Sequence, residues 1–588
     1  MSVEAISRPK TPADPRGRRL ESWKEIAAYL GRDVTTVRRW ERREGLPVYR
    51  ILHSKLGSVY AYTAELDAWR NSRAPAAPEV ADADPVSGIR WSGVWGRGWL
   101  AACGVAILGL LVVAYFTTRS YLRSATGSKI TSLAVLPLTN LSADPTQEYL
   151  ADGMTEALIS RLSSIHDLRV ISRTSAMQFK NTSLSVPAIA RTLHVDAIVE
   201  GSVICDAHRI RVHAQLIRAA TDEHFWSETY DRELRDVLTL QSDVAQSIAR
   251  KVEITVTGEE HARLTASRPV SPEVYESYLK GRFNRHNSKA ELEQSIVYFE
   301  DAIQKDPTFA SAYVGVADAY NDLGTVFVGA PPAEARQKQM SAARKALELD
   351  PTIAEAHDLL AAVLQRRWQW AEAEGEYKRA LDLNPSDPAA HIGFAMWLLC
   401  QGRTDDAVAW AMRARDLDPV GGASTSIGYI LFEARHYDEA IRAMRAVVGV
   451  RPDDASAYWY LGFALIANDQ PKEAIPVLEK ALSVSNRSPG VMGVLIRAYA
   501  HDGRRSDALR ILEELKKLSQ TGYVPAGAFV NAYLGLGDNE QAFAWMDRAC
   551  QEQSNILQFL KVHPFFDPVR SDPRFKDLLH RVGVDKTY

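Results

Sequence analysis

Residues 351–384 read PTIAEAHDLLAAVLQRRWQWAEAEGEYKRALDLN, residues 385–418 read PSDPAAHIGFAMWLLCQGRTDDAVAWAMRARDLD, and residues 419–451 read PVGGASTSIGYILFEARHYDEAIRAMRAVVGVR. Aligned on Pro351, Pro385, Pro419 and Pro452, the blocks recur at 34, 34 and 33 residues. A fixed period of this size means a solenoid of stacked units, because one unit alone leaves its apolar face uncovered. Small residues at matching places, Ala373/Ala380, Ala407/Ala414 and Ala440/Val447, let two antiparallel helices approach closely. Leu360, Phe394, Ile427 and Leu461 fill the space between those helices.

This period and these small residues are similar to tetratricopeptide repeats. Working outward, one repeat ends at Pro307, and one ends at Pro351 with an insertion near 324–334 (GTVFVGAPPAE). Three regular repeats run to Pro452, two more centre on Ala474 and Ala508, and a last one on Ala542. The repeats are expected over 272–563, with the tail 564–588 packing on as a C-terminal cap. The resemblance implies about one superhelical turn with a concave groove that takes a protein or peptide partner. Trp368, Trp370, Trp397, Trp410, Trp459 and Trp545 offer aromatic surface for such a partner, although core packing is the preferred reading for most of them. The pairs Arg366-Arg367 and Arg504-Arg505 near helix ends read as solvated charge.

The other end of the chain is different in kind. Residues 1–73 hold fifteen Lys/Arg against nine Asp/Glu, net +6 within a chain of net −3, so the remainder carries −9. A basic head on an acidic body points to an anionic partner for the head alone. After 1–20, which read as disordered, Ser22 can cap a helix whose Ile26, Ala27 and Leu30 share a face, with Glu25 completing a capping box and Gly31 ending it. Asp33 or Thr35 starts a second helix in which Val37 and Trp40 pack inward while its arginines remain free. Gly45-Leu46-Pro47 stops it. An apolar/polar alternation around Lys55, Leu56 and Gly57 predicts a two-stranded wing, and 63–72 a short closing helix bearing Leu66 and Trp69.

Arg39-Trp40-Glu41-Arg42 followed by Gly45-Leu46-Pro47 resembles the winged helix-turn-helix of the MerR and excisionase type, over about fifty residues. The resemblance implies a DNA-binding domain at 21–73. Physics points the same way: a groove-bound helix needs Arg to fork onto guanine edges and further cations for phosphates. The candidates for the groove are Thr35, Thr36, Arg38, Arg39 and Arg42; Arg50, His53 and Lys55 belong to the wing. Arg43 is either a further DNA contact or a partner of Glu44 or Glu41. A single head makes few phosphate contacts, so a homodimer on double-stranded DNA is a further expectation.

Residues 74–97, beginning APAAPEVADADPVSGIR, read as a flexible linker. Residues 98–118 (GWLAACGVAILGLLVVAYFTT) carry no charge and, as a helix, would reach about 30 Å, the thickness of a bilayer core. Trp91, Trp95 and Trp99 on one side and Tyr115 and Tyr121 on the other resemble interfacial aromatics. The expectation is a single-pass protein of the bacterial inner membrane with a cytoplasmic N-terminus. Flanking charge does not set that orientation, since Arg90 and Arg97 precede the stretch while Arg119, Arg123 and Lys129 follow it.

From Thr131 the pattern alternates short apolar runs with helices: a strand at 133–137, a helix at 146–165, a strand at 168–171, a helix near 187–193, a hairpin from 197–204 and 209–217, then Phe225, Trp226 and Tyr230 before a helix at 236–256. LAVLPLTNLSADPTQEYLADGMTEALISRLS, HVDAIVEGSV and TDEHFWSETYDREL resemble the TolB-amino-terminal-like domain of ToxR-like regulators, over 130–256. That resemblance implies an interaction role. His194, His208, His213 and His224 lie close in sequence, but alternation separates them and no metal-ligand spacing results.

The fold class is thus multidomain and mostly α: a winged helix-turn-helix, one transmembrane helix, an α/β domain and an α-solenoid of tetratricopeptide repeats. Cys103, Cys205, Cys400 and Cys550 are scattered and form neither a zinc pattern nor a disulfide framework. Nucleophile elbow, phosphate loop and paired metal carboxylates are all missing from the sequence, so catalysis, cofactors and metals are not expected. The function expected is a one-component transcription regulator; the alternative is a tethered repeat scaffold that binds no DNA.

Overall fold

The computed structural model describes residues 18–71 and 129–585, apart from 21, 45, 52–57, 143, 145–146, 207, 267, 284–287, 325–331 and 422. It divides into two compact units, within Met1–Thr117 and Thr118–Tyr588.

In the first unit, α1 (Trp23–Leu30) starts at Ser22, whose hydroxyl accepts the Glu25 N–H at 3.2 Å, and stops at Gly31, which takes φ +63° as a left-handed cap. Asp33 is the residue that opens α2 (Val34–Glu44): its carboxylate takes the Thr36 N–H at 2.8 Å and the Thr36 hydroxyl at 2.6 Å. A three-stranded antiparallel sheet follows in the order β1-β3-β2, formed by β1 (Arg19–Leu20), β2 (Tyr49–Ile51) and β3 (Ser58–Tyr62). β1 corrects the expectation of disorder over 1–20 at its last residues: Arg18 and Thr63 exchange two hydrogen bonds that fasten the strand to the start of α3 (Thr63–Asn71). The core of this unit gathers Ile26 and Ala27 of α1, Val37 of α2, Ala61 of β3 and Leu66 of α3.

The second unit begins with an α/β layer. Its sheet runs β6-β4-β7-β8-β9, with β4 (Ser132–Val135), β5 (Thr139–Asn140), which pairs with β7 off this path, β6 (Arg169–Val170), β7 (Ala197–Asp206), β8 (Arg209–Arg218) and β9 (Glu223–Glu233). β4 pairs in parallel with β6 and β7, whereas β7, β8 and β9 form an antiparallel meander. The helices Glu148–Ser163 and Val237–Lys251 cover one face, and Val186–Leu193 covers part of the other. β9 departs from the sequence reading, which gives 223–233 aromatic core without a third strand.

Eight antiparallel helix pairs follow among the described residues, from Pro272–Phe283 with Lys289–Lys305 to Ala526–Leu536 with Asn539–Gln551. Close approach is enforced by glycine. A Cβ at Gly281 or at Gly315 would lie 2.5 Å from the Phe299 ring, which is fully buried between those helices. The α/β layer is bonded directly to the turns between repeats. Ser172 and Ser175 both donate to the buried Asp418 carboxylate, Val170 N–H donates to the Ser386 hydroxyl at 3.2 Å, and Arg282 joins Glu156 of the α/β layer to Glu355 of the third pair.

No helix among the described residues is long and apolar enough to cross a membrane. The expected localisation, a single-pass protein of the bacterial inner membrane, is corrected on this finding. The linker 74–97 and the stretch 98–118 that suggested a span lie outside the described residues.

Candidate functional site

The expected DNA-contact residues fall into three groups. Arg38 and Arg39 project from the middle of α2 as exposed side chains, and the Arg38 guanidinium lies 5.3 Å from the centroid of the Trp23 ring, which steadies it against the first helix. Thr36 is drawn into the cap by Asp33, so its hydroxyl is already engaged and it is a cap residue in this structure. Thr35, Arg42 and Arg43 lie on α2 and Arg50 on β2, with their side chains outside the described residues, and His53 and Lys55 lie outside them altogether. Thr35, Arg38, Arg39 and Arg42 fall within one face by helical spacing. Trp40, half-buried against Trp69 at 5.5 Å, anchors the opposite side of α2 and so turns Arg38 and Arg39 outward.

Sequence reasoning missed Arg19, whose guanidinium sits 4.2 Å from the centre of the Tyr60 ring on β3, while Tyr60 stacks on Tyr49 at 5.3 Å. The signal was an Arg-Arg pair just before the Ser22 cap, hidden in a segment read as disordered.

The second candidate is the inner face of the repeat array. Between Gln558 and Phe565 the chain touches the first helix of five successive pairs. Gln365 donates to Gln558 at 3.1 Å, Lys561 donates to the Gln401 carbonyl at 3.3 Å, His563 Nδ1 meets Glu433 at 2.7 Å, Phe565 stacks on Phe463 at 5.2 Å, and Arg497 donates to the Phe565 carbonyl at 3.5 Å. Eight residues span at most about 25 Å, whereas five helices packed side by side at about 8–10 Å cover a longer arc on their outer side. Only the concave side brings all five within reach, so this segment lies in the groove.

Charge of both signs lines this contact, Glu433 beside His563 and Arg497 beside Phe565. Burial pushes the Arg497 guanidinium down to about 9 and, with Arg366 adding repulsion, the Arg336 guanidinium down to about 10; both remain charged at neutral pH. Arg366 donates to Asn321 and Gln339 inside the array, which corrects its reading as solvated charge, whereas Arg504 stays exposed beside Asp507. The tryptophans divide as packing prefers: Trp370 and Trp397 are buried, and Trp545 stacks on Phe529 at 3.9 Å. The histidines of the α/β layer are spread over separate partners: His213 meets Thr229 and His224 meets Gln215. Among the described residues no group of three or more His, Cys, Asp or Glu is placed to hold a metal ion.

The family matches fall on the α/β layer and the repeats. Tetratricopeptide repeats match residues 359–421, 425–491 and 465–524, and a HilA/YgeH-like transcriptional regulator, second domain, matches residues 128–248. The chain is 33% identical over 246 residues, 41% of its length, to a Rhizobium meliloti (strain 1021) protein named "Putative adenylate cyclase 3". It is 27% identical over 30% of its length to the type IV pilus assembly protein PilF of Pseudomonas aeruginosa. It spans 42% and 56% of the lengths of those relatives. Among solved structures, YrrB, a tetratricopeptide protein with an unusual peptide-binding site, aligns at 22% identity and a TM-score of 0.22, over 32% of this chain and 91% of that one. The chain therefore carries tetratricopeptide repeats behind a regulator-like domain. That combination supports a regulatory or protein-interaction role.

Proposed function

We propose that the protein is a transcription regulator that binds double-stranded DNA through residues 21–73, a winged helix-turn-helix, and a protein or peptide partner through its repeats. The observation that carries the DNA reading is the outward row on α2, where exposed Arg38 and Arg39 stand on a helix pinned from behind by Val37 and Trp40. Thr35, Arg42, Arg43 and the wing residues Arg50, His53 and Lys55 extend the same contact surface in this proposal. The regulator-like match at 128–248 favours the same role from an independent part of the chain.

The test is retention of the full chain on duplex DNA across salt. With about four phosphate contacts, affinity should fall about 100-fold between 50 and 200 mM salt, and Arg39→Ala together with Arg42→Ala should abolish retention. A wild-type chain that ignores duplex DNA at 50 mM salt sinks this reading and leaves a repeat scaffold. Pairing of two chains, which would double the phosphate contacts, belongs to the same proposal and is read by sedimentation with and without duplex.

A further inference from the structure

The groove that would receive a partner holds the chain's own residues 555–570. They arrive through a turn in which Gln553 takes φ +49°, a left-handed conformation unusual for a residue with a Cβ, and they run through two 3-10 turns, Asn555–Phe559 and Pro564–Val569. Their anchoring to the array is by side chains, in the manner of a bound peptide. The later helix Pro573–Val582 is held differently: Arg574 and Arg581 pair with Glu540 and Asp547 of the last repeat helix, and the Val582 carbonyl accepts from buried Trp370 of the third pair at 2.8 Å.

The match between segment and groove is incomplete in a particular way. As elsewhere in the array, where Asp358 Oδ1, His391 Nδ1 and Asn531 Oδ1 are left so, this contact buries polar atoms with no hydrogen-bond partner among the described residues. They are His563 Nε2, Arg336 Nε, Arg497 Nη1 and both side-chain amide atoms of Gln401. Among the described residues Arg336 donates to the Gln553 carbonyl and the Asn555 side-chain oxygen and Arg497 to the Phe565 carbonyl, so two guanidinium groups meet neutral acceptors there. A buried donor left without an acceptor loses its hydration without return, and a cation gains most from a carboxylate. Opposing this, Leu557, Leu560, Val562, Phe565, Phe566 and Val569 are buried in the same apolar core as the repeats and hold the segment in place.

We infer that residues 555–570 are a resident ligand in cis, which keeps the groove closed until a partner segment displaces them. The displacing segment is an extended peptide with an aromatic pair for the Phe432 and Phe463 side, a hydrogen-bonding group for Glu433, and carboxylates for Arg336 and Arg497. This inference rests on the inner face being the partner-binding surface and is independent of DNA binding.

The experiment uses the full chain with a protease site inserted in the turn Glu552–Ser554, cut after folding. A labelled synthetic peptide of residues 554–572 should exchange into the cut chain and be chased out by unlabelled peptide, while far-ultraviolet circular dichroism of the repeats is retained. The uncut chain should take up at least tenfold less peptide. In hydrogen exchange of the uncut wild type, amides of 555–570 should exchange at least tenfold faster than those of Ala526–Leu536. Loss of helical signal on cutting, failure of the peptide to exchange, or exchange of 555–570 at the rate of the neighbouring helix would each overturn the inference, because the segment would then be ordinary core. Duplex retention measured on the same samples reports on the DNA reading alone, so the two fail separately.

Discussion

Glu260 is 2% exposed, yet its carboxylate accepts from the His166 N–H and ring at 2.9 Å each and from the Thr257 N–H at 2.7 Å. Burial by itself would raise this carboxyl; the hydrogen bonds from His166 and Thr257 outweigh it and hold the group at about 2. Because the folded value lies below the unfolded one of about 4.3, the stabilisation is complete above that pH and is lost as pH falls toward 2. Glu260→Gln should cost about 1–3 kcal/mol at pH 7, and urea midpoints of variant and wild type should converge by pH 2. A midpoint difference that persists unchanged into acid would contradict this account. The capping box Thr257-x-x-Glu260 is legible in the sequence, but the 94-residue separation from His166 hides the reason the carboxylate is buried. The same holds at the head, where Asp33 and Thr36 spell a cap while nothing in the local sequence announces that Arg19 will lie over Tyr60.

At the scale of elements, helices were easier to read than strands. α1 and its Gly31 stop follow from local spacing and cap chemistry, and the repeat helices follow from a period that every block restates. β9 is harder because Trp226 and Tyr230, four residues apart, fit one helix face as well as one strand face, and the intervening Glu228 breaks the apolar alternation. What fixes β9 is its neighbour: β8 supplies a ten-residue ladder, with a register shift between Leu216 and Ile217. The hairpin also contains its weak point. At Gly201 on β7 a Cβ would come 2.1 Å from the His213 carbonyl of β8, backbone that has no room to yield. Gly201→Ala should therefore part the two strands locally and cost about 2–3 kcal/mol, read as a lower urea midpoint together with faster amide exchange along β7 and β8. Unchanged exchange there would mean that the strands absorb the methyl group elsewhere.

Across the molecule, what the sequence hides is the joining of parts that lie far apart along the chain. Period and alternation gave the repeats and the α/β layer separately, but Ser172 and Asp418 stand 246 residues apart and no pattern connects them. In the structure these bonds make the α/β layer and the array one compact unit: Asp418, 3% exposed, takes two serine hydroxyls, Ser386 bridges the Val170 N–H and the Leu168 carbonyl, and Arg282 binds carboxylates from both parts. Buried charge-assisted hydrogen bonds of this kind are worth about 1.5–3 kcal/mol each when one partner is removed, and they add to the apolar core that the α/β layer shares with Val274, Leu279 and Phe309 of the first two helix pairs. The chain without its first unit, residues 129–588, should then melt in one calorimetric transition. Asp418→Ala combined with Arg282→Ala removes two of these three contacts and should split that transition in two, the α/β layer unfolding first because it has the smaller core. A variant that still melts in one step, with calorimetric and van't Hoff enthalpies equal, would place the coupling in apolar contacts such as that between Leu279 and the helix carrying Gly153.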